Sequence, residues 1–296
     1  MPISNGIWTK DDELKFFEDS LKLVSKEKLF YYTNTGRYLA YWPKNYNGRK
    51  STLQSRNGRI GDYTEKWCCD VLNQIAYELN AYAVNNVICE KVGLSSDSPA
   101  DIAICKTDNV LQKPEDILAI FEVKMSIVWN WEYIEDGTNM RLECVGDYRS
   151  HSGNPGLLRS DTMLKAIGKS VGIRTASIYS SNIPIVILGN TPISNSYEKK
   201  VDNLKRYGII QGFWSLNPRP LDDDSEFLKS TRNEGFITFS SLSELKNNIL
   251  GLLNDNHEFF ACWKAKNELG RMIDVANREN TYELKAEKFL ELLKSV

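Results

Sequence analysis

Two strongly apolar segments of this chain carry charges where a buried strand has no solvent to offer them. Pro99-Ala100-Asp101-Ile102-Ala103-Ile104-Cys105 reads as one inner strand, and Ile117-Leu118-Ala119-Ile120-Phe121-Glu122-Val123-Lys124-Met125 reads as the next. Their flanks are apolar on both faces, the pattern of strands covered by helices on either side. The fold class this implies is α/β, a mixed central sheet flanked by helices. An unpaired carboxylate or ammonium inside such a strand is costly enough to require a compensating ion or a task. The other reading is an edge hairpin, with Glu122 and Lys124 as an exposed pair and Asp101 ending a turn; it fits the apolar flanks less well.

Alternation along a strand puts Glu122 and Lys124 on one face. Two carboxylates and an ammonium can then converge, which is the chemistry of Mg²⁺-dependent phosphodiester hydrolysis. Hard oxygens hold the ion, the ion activates water and offsets phosphate charge, and the lysine positions that water. At these residues the chain resembles the PD-(D/E)xK nuclease superfamily, in which most type II restriction endonucleases fall. The likeness covers roughly residues 60 to 190. The resemblance implies that Asp101 is the metal-binding aspartate, Glu122 the acid opening the second half-motif and Lys124 the catalytic lysine. Asp101, Glu122 and the Val123 carbonyl are then the candidate Mg²⁺ ligands. One departure from the family pattern is that Ala100 separates Pro99 from Asp101, where the family has the two adjacent.

At 296 residues the chain can bury a substantial core. It reads as a single nuclease domain, with a helix and basic arm over 1–60, a catalytic core over 61–190 and a largely helical extension over 191–296. A net charge of −2 argues against coating nucleic acid nonspecifically and leaves room for a local basic cleft. From Lys28 to Arg59 there is no acidic residue, while Lys28, Arg37, Lys44, Arg49, Lys50, Arg56 and Arg59 alternate with aromatics such as Tyr31, Tyr41, Trp42 and Tyr46. Such an arm suits contacts to a duplex backbone, with Arg49, Lys50, Arg56 and Arg59 as candidates, or is a solvated loop over an aromatic mini-core. Six cysteines without a CxxC pair disfavour disulfides and zinc. The lack of an apolar leader or a membrane-length run suggests a soluble, cytoplasmic protein.

Along the chain, residues 10 to 24 form an amphipathic helix capped by Thr9, with Asp11, Asp12 and Glu13 favouring its dipole and Leu14, Phe17, Leu21 and Val24 packing. Gly58 and Gly61 punctuate the end of the arm, and a second helix spans roughly 62 to 79. Glu65 falls on the buried stripe of that helix and is a candidate additional acid of the site, with Asp62 as competitor; a plain dipole role for Glu65 is the alternative. Strands follow at about 82–90, 101–106 and 117–128. A polar, turn-rich stretch leads to the loop Tyr148 to Arg159, where Arg149, Asn154 and Arg159 can contact bases or backbone. His151 there is a general-base candidate or an exposed bystander. A helix near 160 to 173 packs Met163, Ile167 and Val171 inward and leaves Lys165 and Lys169 on another face. The strand 183–189 completes a parallel βαβ unit. Farther on, Ser241 with Glu244 and Asn280 with Glu283 make capping boxes, and Phe259 to Val275 reads as a helix bearing Lys264, Lys266 and Arg271.

Helix, three strands, helix, strand is the order of the superfamily's core, so a restriction-endonuclease-like core with helical C-terminal additions is expected. The additions outside that core suggest a Mg²⁺-dependent type II restriction endonuclease acting on double-stranded DNA as a homodimer. A structure-selective or repair nuclease of the same superfamily, and a non-cleaving DNA-binding protein on this scaffold, are the alternatives.

Overall fold

The inner strands do pair, and they build a six-stranded mixed sheet covered by helices on both faces. The computed structural model describes residues 6–137, 139–223, 228–254 and 266–294. Among the described residues four α-helices and ten strands precede the C-terminal helices: α1 (Lys10–Leu21), β1 (Tyr31–Tyr32), β2 (Tyr38–Leu39), α2 (Gln54–Glu78), β3 (Tyr82–Val87), β4 (Ala100–Cys105), β5 (Ile117–Val123), β6 (Asn130–Asp136), β7 (Asn139–Gly146), α3 (Ser160–Ala176), β8 (Ile185–Gly189), α4 (Glu198–Arg206), β9 (Gly212–Ser215) and β10 (Phe236–Thr238). Then come α5 (Leu242–Asn254), α6 (Lys266–Ala276) and α7 (Tyr282–Lys294). The central sheet runs β10-β9-β8-β5-β4-β3; β3, β4 and β5 are antiparallel neighbours, and β5, β8, β9 and β10 are parallel.

Alternation divides the core in two. Ala119, Phe121, Val186, Leu188 and Trp214 face α1, α2 and α5 through Phe16, Phe17, Cys68, Leu72, Leu245 and Ile249. Ile120 and Ile185 meet Ile173 of α3, while Ile187, Phe213 and Phe236 meet Met163 and Ala166 of α3 and Val201 of α4. Burial on both faces explains why the strands read as continuous apolar runs.

Several boundaries differ from the sequence expectation. Helix α2 begins at Gln54, so Gly58 and Gly61 lie inside it; a Cβ at either would meet nothing within 4 Å, and the buried Arg56, Ile60 and Thr64 hold that first stretch down. The polar stretch after β5 folds into the hairpin β6–β7, which joins β1 and β2 in a four-stranded sheet of order β1-β2-β6-β7. The C-terminal region carries the expected helices α5, α6 and α7, and beside its helices β9 and β10, four and three residues long, extend the central sheet. Strands that short leave little periodicity to read. Thr281 caps α7 in place of Asn280, accepting from Leu284 N at 3.2 Å. The Ser241–Glu244 box forms with its reverse bond from Ser240 N, at 2.7 Å. Residues 259–265, with Lys264 and Cys262, lie outside the described residues, and the other five cysteines are free. Among the described residues no helix is long and apolar enough to cross a membrane.

Helix α1 is capped as expected: Thr9 N and Oγ1 both donate to Asp12 Oδ2 at 2.8 Å. Its inward face is rotated from the expected stripe, with Glu13, Phe16, Phe17 and Ser20 buried and Leu14, Leu21 and Val24 only partly so. Glu13 is not a dipole ornament. Its carboxylate accepts from Val128 N at 2.6 Å, Trp129 N at 3.2 Å, Trp131 Nε1 at 3.0 Å and Trp8 Nε1 at 3.4 Å. Burial pushes its carboxyl up to about 8, against the pull of those four donors.

Glu13→Gln sets an NH₂ against N–H groups, and we expect it to cost about 3 kcal/mol in a urea titration. The native state holds its extra proton between the unfolded value of 4.5 and about 8, so Glu13 makes stability fall as pH rises through that window. That slope is expected to vanish in the variant; a variant with the native midpoint and slope would refute the role.

Candidate functional site

Asp101 and Glu122 come together where β4 begins and β5 ends, because the two strands are antiparallel with Ile102 opposite Phe121. Val123 N, leaving the ladder, donates to Asp101 Oδ2 at 2.8 Å. Strand β5 stops at Val123, earlier than the sequence suggests, and the chain turns. Over Ser126–Trp129 side chains supply the partners that a ladder would have supplied. Asn190 accepts from Ser126 N at 3.1 Å and donates to Ser126 O at 2.7 Å, Tyr41 Oη donates to Ile127 O at 2.7 Å, and Glu13 takes Val128 N and Trp129 N. The bend brings Lys124 back over its own strand.

Lys124 Nζ lies 2.9 Å from Asp101 Oδ2, 3.3 Å from Glu122 Oε2 and 2.9 Å from Val123 O. Those are the three oxygens expected to ligate an ion, gathered about one cationic nitrogen. A second ammonium stands on the other two carboxylate oxygens: Lys169 Nζ is 3.1 Å from Asp101 Oδ1 and 2.7 Å from Glu122 Oε1. The contact to Oε1 lacks hydrogen-bond alignment, so that buried oxygen receives charge but no hydrogen bond.

Charge and burial compete here. Burial alone would raise Asp101, but the charges of Lys124 and Lys169 and the bonds from Lys124 and Val123 N hold it below the ordinary carboxylate range. Glu122 is fully buried, and burial together with the charge on Asp101 raises it despite both lysines. Burial would lower Lys124, yet Asp101 and Glu122 outweigh it and raise the ammonium. Glu65 is half-buried on α2 with no hydrogen bond or ion pair from its carboxylate among the described residues; burial, then the charge on Asp101, pushes it up to about 7. Asp62 is exposed. Among the described residues no three His, Cys, Asp or Glu side chains form a metal-type cluster. The donors that fit a hard cation are the two carboxylates and the Val123 carbonyl, and the ammonium they surround shows that their oxygens already converge on a cation.

A cleft of about 660 Å³ opens over Lys124 and Val123. Lys50, Arg56, Asn154 and Arg159 line it, so four residues expected to contact DNA share one surface with Lys124. Two of the four are constrained. Arg56 is buried, donating to Ala40 O and to Leu29 O and stacking near Tyr31 and Tyr41, so it serves the protein interior in place of an exposed phosphate contact. Arg159 pairs with Asp161 while remaining largely exposed. Arg149 lies outside the cleft, clamped by Asp147 at 2.8 Å and Asp223 at 2.9 Å. Arg49 is exposed and Arg59 half-buried, and neither lines the cleft.

Sequence reasoning missed Lys169. Its helix buries Met163, Ala166, Ser170 and Ile173, while Val171 is 37% exposed. Following the larger apolar residues rotated the stripe; Lys169 sits three after Ala166 and four before Ile173, on the inward face. His151 is neither a base over the cleft nor exposed. It is buried, stacked on Tyr41 with ring centroids 3.8 Å apart, with Nε2 3.3 Å from Val128 O and Nδ1 accepting from Gly153 N at 3.2 Å. Those partners suit the neutral Nε2–H tautomer.

No family model, curated protein or solved structure matches this chain.

Burial lowers His151 to about 4, so the native state refuses a proton that the unfolded chain accepts near 6.5. The neutral ring's contribution is complete above pH 6.5 and is lost as pH falls toward 4, a difference of about 3 kcal/mol. In His151→Phe the stability difference between pH 7 and pH 4.5, read from urea midpoints, should shrink markedly. An unchanged pH dependence would remove His151 from this role.

Proposed function

We propose that this chain is a Mg²⁺-dependent endonuclease of the type II restriction kind, hydrolysing phosphodiester bonds of double-stranded DNA in the cytoplasm as a homodimer. The observation that carries the reading is the convergence of Asp101 Oδ2, Glu122 Oε2 and Val123 O within 3.3 Å of Lys124 Nζ beneath a cleft lined by Lys50, Asn154 and Arg159. Those three oxygens would hold the ion. Bound Mg²⁺ would supply Lewis-acid neutralisation of phosphate charge and acidify water at the site.

The chain's own groups do the rest. Lys124, one-fifth exposed at the cleft floor, can release its oxygens and turn its ammonium to the attacking water or to a nonbridging phosphate oxygen. Its raised pKa keeps it protonated at neutral pH, so it serves as a donor that orients and not as a resident base. Glu122 and Asp101, held by strand ends, fix the centre relative to the cleft. Lys50, exposed on the arm, suits phosphate contact, and Asn154, exposed on the opposite loop, can pair bidentately with adenine.

Asp101→Asn and Lys124→Ala are each expected to reduce Mg²⁺-dependent plasmid cleavage by at least about 1,000-fold. Binding to a cleavable duplex in Ca²⁺, measured by gel shift, should change far less. Retained cutting by either purified variant would sink the assignment. Discrete plasmid fragments support sequence-specific cutting; preference for branched DNA would favour a structure-selective nuclease, and no digestion by the wild type a binding protein.

The two cleft walls should separate by kind. Lys50→Ala should weaken binding similarly on all sequences and lower the salt slope by about one. Asn154→Ala should cost about 1–3 kcal/mol on the preferred site alone, measured as the ratio of specific to nonspecific affinity.

A further inference from the structure

Each carboxylate of the centre is divided between two ammoniums. Oδ2 of Asp101 and Oε2 of Glu122 turn toward Lys124, which lines the cleft. Oδ1 of Asp101 and Oε1 of Glu122 turn toward Lys169, which does not line it. The two lysines are also anchored differently. Every oxygen around Lys124 belongs to the proposed ligand set, so an arriving cation replaces it outright. Lys169 has an independent tether: its Nζ donates to Pro99 O at 2.7 Å, on the residue pair preceding Asp101. Helix α3 holds the base of that side chain against the sheet through Ala166, Ser170 and Ile173.

From this division we propose that Lys169 is a built-in second cation: a positioning residue that occupies the outer oxygens of Asp101 and Glu122, so that the centre takes one divalent ion and excludes another. The inference rests on the metal-dependent reading above. A second ion bridged to the first by this pair of carboxylates would draw on their outer oxygens, one set per ion. Here the second set is held by a tethered ammonium. With both lysines nearby, one divalent ion already leaves the cluster positively charged, and a second would add like charge in a partly desolvated place. The ammonium also aims the inner oxygens, since a carboxylate pinned on one side cannot rotate the other away.

Calorimetric titration of the full chain with Mn²⁺, without DNA, reads the ion count without reference to activity. The wild type is expected to bind one Mn²⁺ per chain, and Asp101→Asn to weaken it by at least about tenfold. Lys169→Arg, which keeps the cation, should still bind one. Lys169→Met should gain a second, weaker equivalent, with its fold checked by circular dichroism. Two equivalents on the wild type, or a single one on folded Lys169→Met, would overturn the proposal while leaving the metal-dependent reading intact. If Lys169→Met does not fold, the wild-type and Lys169→Arg counts decide: one each supports the exclusion, and two in either overturns it. No Mn²⁺ bound by the wild type, or binding indifferent to Asp101→Asn, would remove the metal-dependent reading and this inference with it.

Discussion

Charge neutralisation at the ends of β4 and β5 is the constraint to which the rest of the molecule answers. Glu122 has no exposure at all, and Asp101 is 14% exposed in its side chain. Two carboxylates this close and this dry repel each other, and burial penalises each in addition. The fold resolves this with two ammoniums from different elements, Lys124 from the turn after β5 and Lys169 from α3. A neutral resting cluster of this kind is stable as protein, yet one of its two cations faces the cleft and the other is tied behind it. The asymmetry separates a cleft-facing charge from a tethered one, which is what the proposed centre would need to admit an ion and still fold without it.

The bend that delivers Lys124 depends on groups far away in sequence. Segment 126–129 leaves the sheet, and its backbone is satisfied by Glu13, Tyr41, His151 and Asn190. The N-terminal helix, the aromatic arm, the loop after β7 and the end of β8 therefore all bear on the position of one lysine. Such support uses directed hydrogen bonds in a low-dielectric interior, where each unmade bond is expensive, so the bend is held in one geometry and not a range of them. Arm and loop are joined as well: Ser152 N donates to Trp42 O at 2.9 Å, and a Cβ at Gly153 would strike the Tyr41 ring at 2.9 Å. Glycine is needed there for close approach.

What the sequence made legible is what periodicity and burial cost can reach. Apolar strands with buried charges brought Asp101 and Glu122 together on β4 and β5, and the apolar run at 183–189 led to the parallel pairing of β5 with β8; Lys124 joins them by the bend after Val123 and not by strand alternation. Illegible were contacts whose logic is tertiary. Ala166 and Ser170 are too small to mark a stripe by apolarity, yet both are buried on the face of α3 from which Lys169 reaches the carboxylates. Glu13 reads as a first-turn acid in any helix, and only the four donors around it reveal otherwise. Arg56 and Arg149 look alike in composition to Lys50, but one is spent on backbone carbonyls and the other on two aspartates. A list of cations cannot tell a bound charge from an available one.

The aromatic arm bears on substrate form. Proteins that hold unpaired bases offer open ring faces on which bases stack. At the cleft the ring faces of Tyr31, Tyr41 and Trp42 are engaged: Trp42 lies between Tyr31 and Tyr46 at 4.5 and 4.4 Å, Tyr41 is stacked on His151, and the Arg56 guanidinium sits over both Tyr31 and Tyr41. Beside those engaged rings the arm contributes Lys50, Ser51 and Thr52 to the cleft lining, and the loop after β7 contributes Ser152, Asn154 and Arg159. Hydroxyls, an amide and cations without a stacking surface suit phosphates and the edges of paired bases better than splayed single strands. The same rings that give the arm its aromatic signature thus act as its core, which agrees with the proposed duplex substrate better than with an unpaired strand.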